Sequence, residues 1–149
     1  MEASAKLSFK RIFRKIFLQF SKSSILPCSF RFYFMKLAGV NFLGKCYIGE
    51  NITIDGIHPE LVTIGSGCVI TSGTKILTHF YSMENHNFFV DKVHIGNNCF
   101  IGMNTLIVNS VTIGDNVVIG AGSVVTKNIP SNEVWGGVPA KFIKKSSFK

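Results

Sequence analysis

Ile95-Gly96-Asn97-Asn98-Cys99-Phe100-Ile101-Gly102-Met103-Asn104-Thr105-Leu106-Ile107 leads, one hexad later, into Ile113-Gly114-Asp115-Asn116-Val117-Val118-Ile119-Gly120-Ala121-Gly122-Ser123-Val124-Val125-Thr126-Lys127. An aliphatic residue returns at every sixth position of this stretch. The phase extends backwards through Phe42, Ile48 and Ile54, and through Ile64, Ile70 and Ile76, giving twelve anchors in three phased blocks. An amphipathic helix repeats about every 3.6 residues and a strand about every two, so neither accounts for this period. Glycine often follows the anchor, and Asp, Asn, Ser or Gly often comes next. Gly and Asn accept positive φ at low cost, so a bend in each hexad is chemically sound.

Two positions before the next anchor stands a smaller residue: Cys46, Cys68, Thr74, Cys99, Thr105 or Val111 in successive cases. One short strand and one bend per hexad make a solenoid, with three strands per turn and anchors stacked inside. Neighbouring coils then lie ~4.8 Å apart, the spacing of paired strands. Cys46, Cys68 and Cys99 fall on the second inward position and read as small core fillers. With Cys28 they form no C-x-x-C pair, and a disulfide framework is not indicated.

The chain has 149 residues, 46% hydrophobic and 16% charged, the profile of one globular domain. No apolar run approaches the ~18 residues of a membrane span, and Lys6, Lys10, Arg11, Arg14 and Lys15 interrupt any export signal. A cytoplasmic protein is expected. Residues 1–45 hold nine Lys/Arg against Glu2 alone, while the remainder holds seven of each sign. The body is therefore neutral, which argues against a nucleic-acid-binding surface.

The repeats Ile113-Gly114-Asp115-Asn116-Val117-Val118 and Ile119-Gly120-Ala121-Gly122-Ser123-Val124-Val125-Thr126-Lys127 resemble those of the hexapeptide-repeat acyltransferases. The likeness covers about residues 36–145 and is greatest to sugar O-acetyltransferases of the galactoside/maltose type and those acting on surface polysaccharides. It implies an all-β fold, a left-handed parallel β-helix of about four coils with a short N-terminal helical segment and one protruding loop. The left hand comes from the family alone, since general crossover physics favours right-handed connections. The resemblance further implies a homotrimer, acetyl-CoA as co-substrate, no metal, and a sugar or polysaccharide-precursor acceptor. The expected division is a helical segment over 1–41 and the acyltransferase domain over 42–149.

Two interruptions break the phase. Ile54 to Ile64 carries four extra residues around Gly56-Ile57-His58-Pro59-Glu60, a bulged corner. Ile76 to Ile95 spans nineteen residues, and positions 78–94 read as a loop holding His79, His86 and His94. Long loops in tight solenoids are usually functional. In sugar acetyltransferases the catalytic histidine opens this loop, so His79 in Ile76-Leu77-Thr78-His79 is the expected general base. Related enzymes often carry an acid directly after it, where Phe80 stands here. Glu84 and Asp91 are then the loop candidates for orienting the imidazole, with a backbone carbonyl as the other choice. Zinc-type carbonic anhydrases share this β-helix, but spacings of seven and eight within one loop do not match their three-histidine site.

The family's coenzyme groove maps onto Gly120, Ala121 and Gly122, with Thr126 and Lys127 just beyond. A backbone N–H of this region or of Gly102 would polarise the thioester carbonyl. Phe100 stands where related enzymes place an aromatic beside the acetyl group, or it packs at the trimer interface. The motif Val134-Trp135-Gly136-Gly137-Val138-Pro139-Ala140-Lys141 resembles the family's terminal one, and Lys141, Lys144 and Lys145 are candidates for the coenzyme phosphates.

Before the repeats, Phe9, Ile12, Phe13, Ile16, Phe17 and Phe20 share one helical face, with Lys10, Arg11, Arg14 and Lys15 on the other. A second stripe, Phe30, Tyr33, Phe34 and Leu37, follows Pro27 and ends at Gly39. The second helix is expected to cap the first coil. For the first, capping and peripheral contact with the inner membrane face stand open. Other functions for the whole are a non-catalytic assembly platform and N-acylation of an amino sugar.

Overall fold

The computed structural model describes residues 2–108 and 110–147; the side chains of residues 2–8, Lys6 among them, and of Lys10 lie outside the described part. Helices α1 (Glu2–Ser21) and α2 (Cys28–Ala38) precede the strands. Triplets of two- or three-residue strands follow. They are β1 (Asn41–Phe42), β2 (Tyr47–Ile48) and β3 (Thr53–Ile54), then β4 (Val62–Ile64), β5 (Val69–Ile70) and β6 (Lys75–Ile76). After a hairpin, β7 (His79–Ser82) and β8 (Asn87–Val90), come β9 (Val93–Ile95), β10 (Phe100–Ile101) and β11 (Leu106–Ile107). The last triplet is β12 (Thr112–Ile113), β13 (Val118–Ile119) and β14 (Val124–Val125). A terminal hairpin, β15 (Glu133–Gly136) and β16 (Lys141–Lys145), closes the chain.

The strands sort into three parallel faces. The first is β1-β4-β9-β12, the second β2-β5-β10-β13 extended by β15 and β16, and the third β3-β6-β11-β14. Anchors stack on anchors: Ile48 on Ile70, Ile70 on Ile101, and Ile101 on Ile119. This is a parallel β-helix whose interior is a column of isoleucines fully removed from water. The repeat does not stop at Val125, because Ile129 bridges to Ile113 and Trp135 pairs with Ile119.

Each hexad turns at the third residue after the anchor, where Asn98, Asn104, Asn116 and Gly122 all have positive φ. The small inward residues satisfy the bends. Cys46, Cys68 and Cys99 each point a thiol at a glycine carbonyl of the next coil, at 3.0 Å. Thr105 donates its hydroxyl to the Gly102 carbonyl at 2.7 Å. The cysteines are therefore packing residues with a donor, and all four are free thiols.

Both interruptions leave from the edge between the third and first faces. The first is a short 3-10 turn, Pro59–Leu61. The second is not an irregular loop: residues 79–90 form a two-stranded antiparallel hairpin, with Phe80 stacked on Phe89 and Tyr81 edge-on to Phe88. Val93 and His94 already belong to β9.

The helices differ from expectation in the faces they bury. α2 does lie on the first triplet, but through Arg31, Met35 and Ala38. Phe30, Tyr33 and Leu37 of the expected stripe are exposed. Arg31 is tolerated inside because its guanidinium donates to the carbonyls of Ile48, Leu26 and Ser23. α1 touches the body through Leu18 and Phe17, and Arg14, grouped above with the solvent face, turns inward to Glu60 at 3.1 Å. Propensity and periodicity find a helix, but they do not say which face the neighbour covers.

Close stacking has a steric consequence. A Cβ on Gly65 would meet the Gly96 carbonyl oxygen at 2.4 Å and its carbon at 2.5 Å. Gly65→Ala is expected to destabilise the fold by about 1–3 kcal/mol, read as a Tm lower by several degrees. Gly56→Ala, with open space around it, leaves Tm nearly unchanged. Equal melting of the two variants would contradict the stacking.

Candidate active site

His79 opens β7 at the edge where the chain leaves the third face, and its side chain is 34% exposed. Asp55, one coil below at the same edge, is directly after the anchor Ile54 and its side chain is fully buried. Stacking of Ile54 under Ile76 brings the two together. His79 Nδ1 lies 2.5 Å from Asp55 Oδ2. The same oxygen accepts the Thr78 hydroxyl at 2.6 Å and the Thr78 N–H at 3.2 Å, while Oδ1 accepts the Ile57 N–H at 2.9 Å.

These donors determine the charge of Asp55. Burial alone would raise its pKa, but the hydrogen bonds from the Thr78 hydroxyl, the Ile57 N–H, His79 and the Thr78 N–H outweigh it and bring the carboxyl to about 2. An ionised carboxylate can only accept, so Nδ1 carries the proton and Nε2 keeps a free lone pair. That is the tautomer a general base requires.

Neither loop acid orients His79, and here the sequence expectation is corrected. Glu84 sits exposed in the turn of the hairpin. Asp91 bonds the Ser110 hydroxyl at the hairpin's base, which with the Lys92 N–H holds its carboxyl below the usual range. Asp91 also donates its own N–H to the Thr78 carbonyl at 2.8 Å, so it fastens the hairpin to the coil. Sequence reasoning confined the search to the loop and missed Asp55. The available signal was an acid at the corner one coil below, where glycine commonly stands.

The expected coenzyme residues fall on two edges of the prism. Gly102, Gly120, Ala121 and Gly122 line the edge between the second and third faces, beside the exposed Phe100 on β10. The N–H groups of Gly102, Gly120 and Gly122 are consumed by the carbonyls of Ile119, Trp135 and Met103 at 2.7–2.8 Å. Gly102 therefore cannot be the thioester donor. The Ala121 N–H makes no hydrogen bond among the described residues. Thr126 and Lys127 lie on the His79 edge, two strands further along, roughly 10 Å on the strand spacing. With Trp135, Pro139, Lys141 and Phe142 they line a cleft of about 240 Å³. Lys144 is exposed outside that cleft, and Lys145 is paired with Glu133 at 2.7 Å.

His86 is at the hairpin turn with positive φ, and His94 faces outward from β9. No group of three or more His, Cys, Asp and Glu placed to hold a metal ion occurs among the described residues.

Ionised Asp55 links stability to pH. The folded carboxyl titrates at about 2 and an unfolded Asp at about 3.9. Asp55 therefore stabilises the fold by about 2–3 kcal/mol above pH ~4, and this contribution disappears as pH falls through about 2. Asp55→Asn should lower stability at neutral pH and flatten the loss between those two values in acid titration. An unchanged acid limb would contradict the assignment.

Residues 92–127 match the family described as bacterial transferase hexapeptide (six repeats). The chain is 41% identical to protein CapG of Staphylococcus aureus over 140 residues, 88% of this chain and 77% of the relative. It is 36% identical to the galactoside O-acetyltransferase of Escherichia coli over 76% of this chain and 57% of that protein. Among solved structures, a maltose O-acetyltransferase from Clostridium difficile superposes with TM-score 0.73 at 25% identity, covering 95% of this chain and 89% of the other. By its repeats, its strand stacking and these relatives, the chain belongs to the hexapeptide-repeat family of acetyl-CoA-dependent acetyltransferases.

Proposed function

We propose that the protein transfers an acetyl group from acetyl-CoA to a sugar hydroxyl, with His79 as general base. The observation that carries this reading is the buried Asp55 carboxylate on Nδ1 of His79, in a solenoid of an acetyltransferase family. Nε2 takes the proton of the acceptor hydroxyl as its oxygen attacks the thioester carbonyl carbon. The Ala121 N–H is the backbone donor left to meet the developing oxyanion. The tetrahedral adduct then collapses, the C–S bond breaks, and the imidazolium returns the proton to the coenzyme thiolate. Asp55 stays ionised and stabilises the imidazolium throughout. Thioesters are activated already, so no covalent enzyme intermediate is needed.

On this reading the solenoid is a left-handed coil of about four turns and the protein a cytoplasmic homotrimer. Trimerisation agrees with the split of the site residues. Gly120–Gly122 and His79 sit on opposite edges of the third face, so a groove using both would join the edges of two protomers. Lys127 and Lys141 would meet the coenzyme's phosphates, with Lys144 beyond the cleft as a weaker candidate. The acceptor fits a sugar or precursor of a surface polysaccharide, supported by the likeness to a galactoside and a maltose O-acetyltransferase.

His79→Ala should lower acetyl transfer from radiolabelled acetyl-CoA by about a hundred- to ten-thousandfold. Coenzyme binding by calorimetry and the oligomeric state should be unchanged. Asp55→Asn should give a smaller loss in the same assay. Near-normal turnover of His79→Ala would overturn the base assignment, and failure of the wild-type protein to bind acetyl-CoA would overturn the enzymatic reading.

A further inference from the structure

The helical pair presents to solvent the apolar surface that its own packing does not use. Phe9, Ile12, Phe13 and Ile16 of α1 are exposed, Phe9 to 68%. So are Ile25 in the connecting turn, at 91%, and Leu37 on α2, at 64%. Contact with the body runs instead through Phe17, Leu18 and Arg14. Two apolar stripes, one on each helix, thus form an open surface at the start of the solenoid. A soluble surface rarely leaves such residues grouped without an occupant.

Charge specifies the occupant. Arg11 and Lys15 are exposed and form no ion pair among the described residues, and Lys36 near the end of α2 is the same. Within residues 1–45 the only carboxylate side chain is Glu2. A second copy of this chain docking by the same surface would bring the unpaired cations of both copies together, and Glu60 is already paired with Arg14. A nucleic acid would satisfy the cations and leave the phenylalanines in water. An anionic lipid surface satisfies both. Neither helix is long and apolar enough to cross a bilayer, so the fitting arrangement lies in the interface, apolar side down.

We propose that α1 and α2 form a peripheral membrane-docking surface for anionic phospholipid. The proposal does not depend on the acetyl-transfer reading. It is tested by floating the full chain with vesicles of phosphatidylcholine alone or mixed with phosphatidylglycerol. The wild type should float with the mixed vesicles, weakly with the neutral ones, and lose binding as salt is raised. Phe9→Ser/Phe13→Ser/Ile16→Ser should weaken binding roughly tenfold or more on both vesicles. Arg11→Gln/Lys15→Gln, which removes charge without touching the apolar surface, should weaken it about thirtyfold on the mixed vesicles alone. Light scattering should show the oligomeric state unchanged in both variants. Absence of wild-type flotation, flotation unaffected by either set, or dissociation of the assembly by the serine substitutions would each overturn the proposal; the last would make this surface a contact between copies.

Discussion

Everything in this molecule follows from in-register stacking of short strands, one coil directly on the next. The constraint is strict because the coils approach too closely for a side chain at Gly65, and because each isoleucine anchor sits on its counterpart. A hexad cannot slip by one residue without turning its anchor outward and its small inward residue out of place. Extra residues are accommodated only where the chain is already outside the prism, at an edge. Both insertions use the same edge.

That shared edge is what assembles the site. The first insertion leaves Asp55 at a corner that no following hexad residue must fill, and its carboxylate is closed in by Thr78 and the Ile57 N–H. The second insertion begins directly above, so His79 enters its hairpin against that carboxylate. A charged group in the interior is costly unless it is fully bonded. Here the bonds from Thr78 and His79 also fix the segment that carries the imidazole, and the rigid coil provides the support. The hairpin is held at its other end by Asp91, on the Thr78 carbonyl and the Ser110 hydroxyl.

The parts legible in the sequence are those governed by local repetition. The sixfold anchors, the Asn and Gly bends and the small inward cysteines depend only on neighbours in the chain, and they are found where the pattern placed them. His79 was legible because it opens the larger interruption. Asp55 was not, since its pairing with His79 joins positions 24 apart across an irregular coil. The hairpin in place of a loop depends on the pairing of Phe80 with Phe89 and Tyr81 with Phe88, which sixfold phase does not register. The helices failed for a different reason. The face α2 buries carries Arg31 beside Met35 and Ala38, and only the neighbouring coil, with the Ile48 carbonyl that accepts from Arg31, decides that this face goes in and Leu37 stays out.

The central claim is that a buried, ionised Asp55 holds the proton of His79 on Nδ1. Nitrogen-15 NMR of the imidazole ring reads this directly, since protonated and bare ring nitrogens differ widely in shift. The account predicts, for neutral His79, a protonated Nδ1 and a bare Nε2, with the opposite balance growing when Asp55 is replaced by Asn. A wild-type ring protonated on Nε2 would contradict it, because the nitrogen turned away from Asp55 would then have no lone pair to offer.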